Sequence, residues 1–94
     1  MLTPISFTPR AIAEIRRLHS LLRIPDDYIV RISVRKTATE EELPFAIGFD
    51  TPDTNDLTFT TDGMMIHYHK SQGMQLAGTQ VDFNADENGF IFRQ

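Results

Sequence analysis

Apolar residues near the start of the chain recur every three to four positions, the spacing of one face of an α-helix. Thr8 followed by Pro9 predicts the start of this helix, because threonine caps free N–H groups and proline has no N–H to leave unpaired. Pro25-Asp26-Asp27 predicts its end. The apolar positions are Ile12, Ile15, Leu18 (or His19) and Leu22.

The remainder of the chain alternates apolar and polar residues in short runs, as strands with one buried face do. The predicted strands cover residues 5–7, 28–35, 43–49, 57–59, 64–69, 81–83 and 90–92. Asp62-Gly63 predicts a two-residue hairpin turn, and residues 70–77 predict a helical turn that ends near Gly78. In the run 64–69, we expect the face with His67 and His69 to be solvated and the face with Ile66 to be buried.

One helix followed by six or seven short strands predicts a mostly β (α+β) fold, a two-layer sandwich or half-barrel. The 94 residues contain no linker or repeat, so we expect a single domain over residues 1–94. Seven phenylalanines and no tryptophan indicate a core centred on phenylalanine.

Composition excludes several classes of function. The net charge of −4 argues against nucleic acid as a partner, because phosphates need clustered lysine and arginine. No apolar run approaches the roughly 18 residues of a membrane span, and the first ten residues do not resemble a signal peptide. These features predict a cytoplasmic protein that binds neither nucleic acid nor membrane.

Catalytic motifs are absent from the sequence. It contains no glycine-rich phosphate loop, no nucleophile elbow and no His-Glu-x-x-His. We therefore predict that the protein is not an enzyme, and no residue is assigned as catalytic.

The metal candidates are weak because the chain has no cysteine. His67 and His69 would lie about 7 Å apart on one strand face, and imidazole suits zinc, copper, nickel or iron. No third metal ligand can be identified from the sequence, so the pair is either two exposed histidines or part of a metal site. His19 is interpreted as a packed or surface histidine.

Acidic loops give no calcium site. Asn84-x-Asp86-x-Asn88-Gly89 begins like an EF-hand loop, but its twelfth position lies past the last residue, and starting at Asp82 puts Glu87 where glycine is required. We interpret both this loop and the run Asp50, Asp53 and Asp56 as turn chemistry.

Segments along the whole chain combine into one recognisable order. They are the opening ISFTPRAIAEI, Arg31-Ile-Ser-Val34, Phe45-Ala-Ile-Gly-Phe49, Asp56 to Phe59 with Asp62-Gly63, Leu76 with residues 78–83, and Gly89-Phe90-Ile91-Phe92. In this order the segments resemble the HesB/IscA family of iron–sulfur assembly proteins. The resemblance implies that fold, and it suggests a homodimer and iron–sulfur assembly proteins as partners.

The departures from the family concern its ligands. That family holds metal or cluster through three cysteines, one in a Gly-Gly-Cys-Ser-Gly loop and two in a Cys-Gly-Cys tail. Here the loop is residues 36–42, KTATEEE, and only Arg93-Gln94 follow Phe92 in the sequence. Carboxylates of Glu40, Glu41 and Glu42 prefer hard cations and do not replace thiolates. His69 and Gln72 stand where the family has aspartate and serine.

We therefore expect no iron–sulfur cofactor and no carried-over ligand residue. Three functions remain open from the sequence. The chain is a non-catalytic accessory or binding module related to iron–sulfur assembly, a small histidine-based metal-binding protein, or a protein–protein interaction module with an unrelated role.

Overall fold

Two β-sheets and one main helix make up the described part of the chain. The structure, a computed structural model, describes residues 5–35, 45–87 and 89–94. The elements are β1 (Ser6–Phe7), α1 (Pro9–Leu21), β2 (Ile29–Val34), β3 (Phe45–Asp50), β4 (Asp56–Thr61), β5 (Met64–His69), a 3₁₀ turn (Lys70–Gln72), α2 (Gly73–Leu76), β6 (Gln80–Asn84) and β7 (Gly89–Arg93). The predicted mostly β fold with one N-terminal helix is confirmed.

The sheets pack face to face. One has the strand order β1-β6-β7 and the other β3-β2-β5-β4. Phenylalanine pairs join the two layers: Phe45 lies 5.6 Å from Phe92, and Phe7 lies 6.2 Å from Phe59, between ring centroids. No helix among the described residues is long and apolar enough to cross a membrane.

Helix α1 begins as predicted and ends differently. The Thr8 side chain accepts a hydrogen bond from the Ala11 N–H, with proline in the first turn. At the other end, Arg23 adopts a left-handed conformation (φ 52°). Its N–H bonds the Ser20 carbonyl, and the next N–H, of Ile24, bonds the carbonyl of His19. This is a Schellman motif, so the helix stops four residues before Pro25, at Leu21.

The centre of the core is aliphatic, so the prediction of a core centred on phenylalanine is wrong. Every phenylalanine side chain is half-buried and packs around the centre. Leu22, predicted on the buried face of α1, is 58% exposed because it caps the helix where the chain turns away. The fully enclosed apolar residues include Ala11, Ile12, Ile15, Ile32, Ile66, Leu76 and Val81.

The hairpin of β4 and β5 follows the prediction. Asp62 and Gly63 both have positive φ, 50° and 75°, as a type I′ turn requires. The turn fixes the register, with Thr61 opposite Met64 and Asp56 opposite His69. After β5 the chain forms the predicted helical turn, and Gln72 uses its side-chain amide to bond both the N–H and the carbonyl of Val34.

Candidate functional site

A buried ion cluster lies on the outer face of the four-stranded sheet. Arg31 on β2 is in register with His67 on β5, because these two strands run parallel side by side. The Asp56 carboxylate at the start of β4 contacts both. Arg31 donates to it from Nη1 (2.6 Å) and Nη2 (2.9 Å), and His67 Nδ1 lies 3.1 Å from Oδ2. The Asp56 side chain is only 4% exposed.

The charges of this cluster fix the tautomer of His67. The Arg31 guanidinium, with further hydrogen bonds from the Asp53 N–H and from His67, holds the pKa of the Asp56 carboxyl well below its usual range. An ionised carboxylate only accepts hydrogen bonds, so the proton between the two side chains belongs to His67 Nδ1. No described residue bonds His67 Nε2, which leaves this nitrogen available to a ligand.

Arg31 is held from three directions. Its Nη2 also donates to the Thr51 carbonyl (2.9 Å), and its Nε lies 3.3 Å from an Asp50 carboxylate oxygen without forming a hydrogen bond. The residues around the Arg31 side chain leave only 16% of it exposed to solvent. The guanidinium is therefore a fixed charge partner for Asp56 rather than a mobile surface cation.

The predicted pair of solvated histidines is not what the structure shows. His67 is 9% exposed, so the expectation of a solvated face is wrong at this position. His69 is half-buried, and its Nδ1 accepts from the Ser71 N–H (3.2 Å), capping the 3₁₀ turn. Each imidazole thus uses one ring nitrogen in the fold, and no three His, Asp or Glu residues of the described chain gather as metal ligands.

A groove lies between α1 and the starts of β2 and β5. Its volume is about 520 Å³, and His67 forms part of its wall. The two strands pair only at Val30–Ile66 and Arg31–His67, and their preceding residues line the groove. His19 lies along the same wall, and its ring meets Phe49 edge-on at 5.8 Å, as expected of a packed histidine.

A second buried carboxylate, Asp82, has a structural role. Hydrogen bonds from Arg10, Thr8 and Arg93 hold its pKa well below the usual range. Thr8 Oγ1 donates at 2.7 Å and Arg93 Nη1 at 3.0 Å. Because Thr8 also caps α1, this carboxylate ties the helix start to strands β6 and β7.

The acidic side chains of the described loops take part in turns. Asn84 accepts from the Asp86 N–H (2.9 Å), and Asp53 accepts from the Asn55 N–H (2.8 Å), as turn side chains do. Asp56 also closes its turn as interpreted from the sequence, because its carboxylate accepts from the Asp53 N–H (2.9 Å), and it is in addition the centre of the ion cluster. Residues 40–42 and Asn88, on which the carboxylate-loop and EF-hand interpretations depend, lie outside the described residues.

Solved structures of iron–sulfur assembly proteins match this fold over nearly its full length. Escherichia coli SufA, involved in biosynthesis of iron–sulfur clusters, is 27% identical with a TM-score of 0.67, covering 99% of this chain and 85% of SufA. IscA with a [2Fe–2S] cluster is 25% identical with a TM-score of 0.70, covering 96% and 82%. The chain has the HesB/IscA-like fold. The resemblance recognised from the sequence motifs is confirmed.

A protein from Aquifex aeolicus solved by NMR shares the fold of this HesB/IscA-like chain, with a TM-score of 0.70 at 20% identity over all of this chain and 94% of that one. Neither a protein-family model nor a curated protein sequence matches. The chain has no cysteine, which makes it a diverged form of the fold.

The side chains present do not suit an iron–sulfur cluster. Such clusters are held by thiolates, with histidine replacing at most part of the set, and this chain has no thiol. The best-placed nitrogen donor among the described residues, His67, hydrogen-bonds Asp56, whose charge is already satisfied by Arg31. The donor set therefore differs in chemistry from the soft ligands that select such a cluster.

Proposed function

We propose that this protein is a non-catalytic accessory or binding module related to iron–sulfur assembly, and that it holds no cluster of its own. The observation that carries the proposal is a fold matching SufA and IscA over nearly the whole chain, combined with a sequence that contains no thiolate ligand. The proposal places the protein in the cytoplasm, in keeping with its mildly acidic composition.

The test compares the purified protein with an IscA-type carrier under anaerobic conditions. We expect no stoichiometric iron and no charge-transfer absorption, where the carrier shows both. We further expect the chain to form a complex with a cluster-loaded carrier in native mass spectrometry. Stoichiometric iron would overturn the statement about the cluster. A lack of any complex with carrier, scaffold or client would instead overturn the accessory role and favour an unrelated interaction module.

A second copy of the chain is the partner that strand β4 fits. The bond from the Lys70 N–H to the Asn55 carbonyl shows that odd-numbered residues of β4 bond β5. The N–H and carbonyl groups of Thr58 and Thr60 therefore point away from β5, and no described residue bonds them.

The chemistry of this edge favours self-pairing. Residues 57–61 carry no charge and no proline, whereas sheet edges are usually protected by such residues. Leu57, at the same edge, is 47% exposed. In a chain with net charge −4, an uncharged antiparallel edge is where two copies meet with least repulsion. We propose that two β4 edges pair about a two-fold axis and join the four-stranded sheets of a homodimer.

Thr58→Pro will test the homodimer. The substitution removes an outward-pointing N–H while leaving the bonds to β5 intact, and proline is accepted at a sheet edge. We expect the wild-type protein to sediment as a dimer and the variant as a folded monomer. The control, Thr58→Val, retains the N–H and should remain dimeric. A variant that stays dimeric, or a wild-type monomer at 100 μM (roughly tenfold above the dissociation constant of a weak dimer), would rule this interface out.

A further inference from the structure

The two histidines of β5 use their Nδ1 atoms in opposite ways. His67 Nδ1 donates to the ionised Asp56 carboxylate, at 3.1 Å. His69 Nδ1 accepts from the Ser71 backbone N–H, at 3.2 Å. Because a backbone N–H can only donate, Nδ1 of His69 carries a lone pair, and the proton of the neutral ring is on Nε2. Only this form of the side chain can cap the 3₁₀ turn that follows β5.

The Ser71 hydroxyl does not remove this requirement. Its oxygen lies 2.7 Å from His69 Nδ1. A hydroxyl both donates and accepts, so it can remain bonded to Nδ1 whether or not that nitrogen carries a proton. The backbone N–H has no such freedom, since a proton on Nδ1 takes away the lone pair that it needs. Protonation of His69 therefore breaks the cap and leaves only the hydroxyl contact.

The capped turn belongs to the connection between the two sheets. This connection covers residues 70–77, in which the 3₁₀ turn runs directly into α2. Gln72 in the turn bonds the Val34 N–H (3.1 Å) and the Val34 carbonyl (3.2 Å) at the end of β2. Leu76 in α2 is fully buried in the core. Loss of the cap thus weakens a segment that is anchored both to β2 and to the core.

The charged groups near His69 do not replace the cap. Asp56 lies opposite His69 in the register of β4 and β5, but its carboxylate is already bonded by Arg31 and His67. No ion pair among the described residues includes His69. A positive charge at the N-terminal end of a helical turn is also unfavourable. The charged and titratable groups on the neighbouring strands and turns are Arg31, Asp53, Asp56, His67 and Lys70.

We propose that His69 is a pH-sensitive latch on residues 70–77. The latch is closed while the imidazole is neutral, and it opens when acid protonates Nδ1. The stability that the cap contributes is present at higher pH and is lost as the pH falls, because the opened segment binds a proton that the capped segment excludes. Histidine is the side chain that ordinarily changes its charge between about pH 5 and pH 8, so the latch responds near neutral pH. The inference is independent of any role in iron–sulfur assembly.

Hydrogen exchange of the full chain at about pH 8 and about pH 5 tests the latch. Each measured rate is divided by the intrinsic exchange rate at the same pH, which gives the protection of each amide. We expect protection in the segment to fall about fivefold at the lower pH, the equivalent of one lost helix cap. Amides in the middle of α1 should keep their protection. The informative N–H groups bond within the segment or onto it, and they are those of Val34, Gly73 and Ala77.

His69→Asn is the discriminating variant, because an asparagine oxygen caps helices well and does not titrate. The variant retains His19 and His67, so a decline caused by either of these histidines would persist in it. We expect the protection of its segment to be equal at the two pH values. NMR spectra of the side-chain nitrogens test the same idea in the wild-type protein, where we expect His69 to carry its proton on Nε2 at the higher pH. Unchanged protection in the wild type, a fall that persists in His69→Asn, or a proton on Nδ1 of His69 at the higher pH would each overturn the proposal.

Discussion

Replacing Asp56 with alanine will lower the free energy of unfolding by about 3 kcal/mol, the lower end of the range for breaking a buried ion pair. The variant leaves the Arg31 guanidinium, 16% exposed, without its bidentate partner and leaves His67 Nδ1–H without an acceptor. Such a loss is a large part of the roughly 5–15 kcal/mol that stabilises a domain of this kind. Urea unfolding followed by circular dichroism will measure it.

Asp27→Ala is the matched control, because it makes the same charge change at an exposed turn residue. We expect it to change stability by less than about 0.5 kcal/mol. The double variant Arg31→Ala/Asp56→Ala should lose less free energy of unfolding than the two single variants added together. Each single variant leaves one charged side chain buried without its partner, whereas the double variant removes both. Additive losses, or a loss below about 1 kcal/mol in Asp56→Ala, would show that the cluster does not stabilise the fold as described.

Acid will unfold the protein mainly through Asp56 and Asp82. In both side chains the folded-state pKa lies below the unfolded-state value, which for aspartate is about 3.9. The contribution of the two carboxylates to the free energy of unfolding is therefore fully present above the unfolded-state pKa. It is lost progressively as the pH falls below about 4 and towards the lowered folded-state pKa, because the unfolded chain then binds protons that the folded chain does not. Urea midpoints measured from pH 7 to pH 2 will show the decline.

Asparagine substitutions distinguish the contributions of the two carboxylates to this pH dependence. Asp56→Asn and Asp82→Asn should each be less stable than wild type at pH 7, and each should show a shallower decline below about pH 4 because one proton-binding site has been removed. Asp86→Asn, at an exposed turn, is the control and should follow the wild-type profile. A wild-type midpoint that stays constant between pH 5 and 2.5, where the unfolded-state aspartates take up protons, would contradict this account.

The local elements were predictable because each depends on neighbours in the sequence. Thr8-Pro9 marks the start of α1 because the Thr8 side chain caps an N–H only three residues further along the chain. Asp62-Gly63 marks the hairpin because a type I′ turn needs two residues with positive φ. The buried positions Ile12, Ile15, Ile32 and Ile66 follow the periods of helix and strand. The end of α1 was less predictable, since Arg23 takes a left-handed conformation that arginine rarely adopts.

The candidate site was not predictable in the same way. Alternation placed Arg31 and His67 on the polar faces of their strands, which ordinarily means contact with water. Their burial follows from the parallel pairing of β2 with β5 and from the position of Asp56 at the start of the neighbouring strand. Asp56 has the same local sequence setting as ordinary turn aspartates, so only its contacts distinguish it.

The sequence by itself determined the fold of this protein, through the order of its apolar periods, caps and turns, and it determined that no thiolate is available to hold a cluster. The tertiary structure alone decided that three polar residues far apart in the chain share one buried ion cluster, and that one of them, His67, also lines the groove beside α1. The physical reason is that electrostatic free energy depends on distance and burial in space. Neither quantity can be read from positions 31, 56 and 67 along the chain.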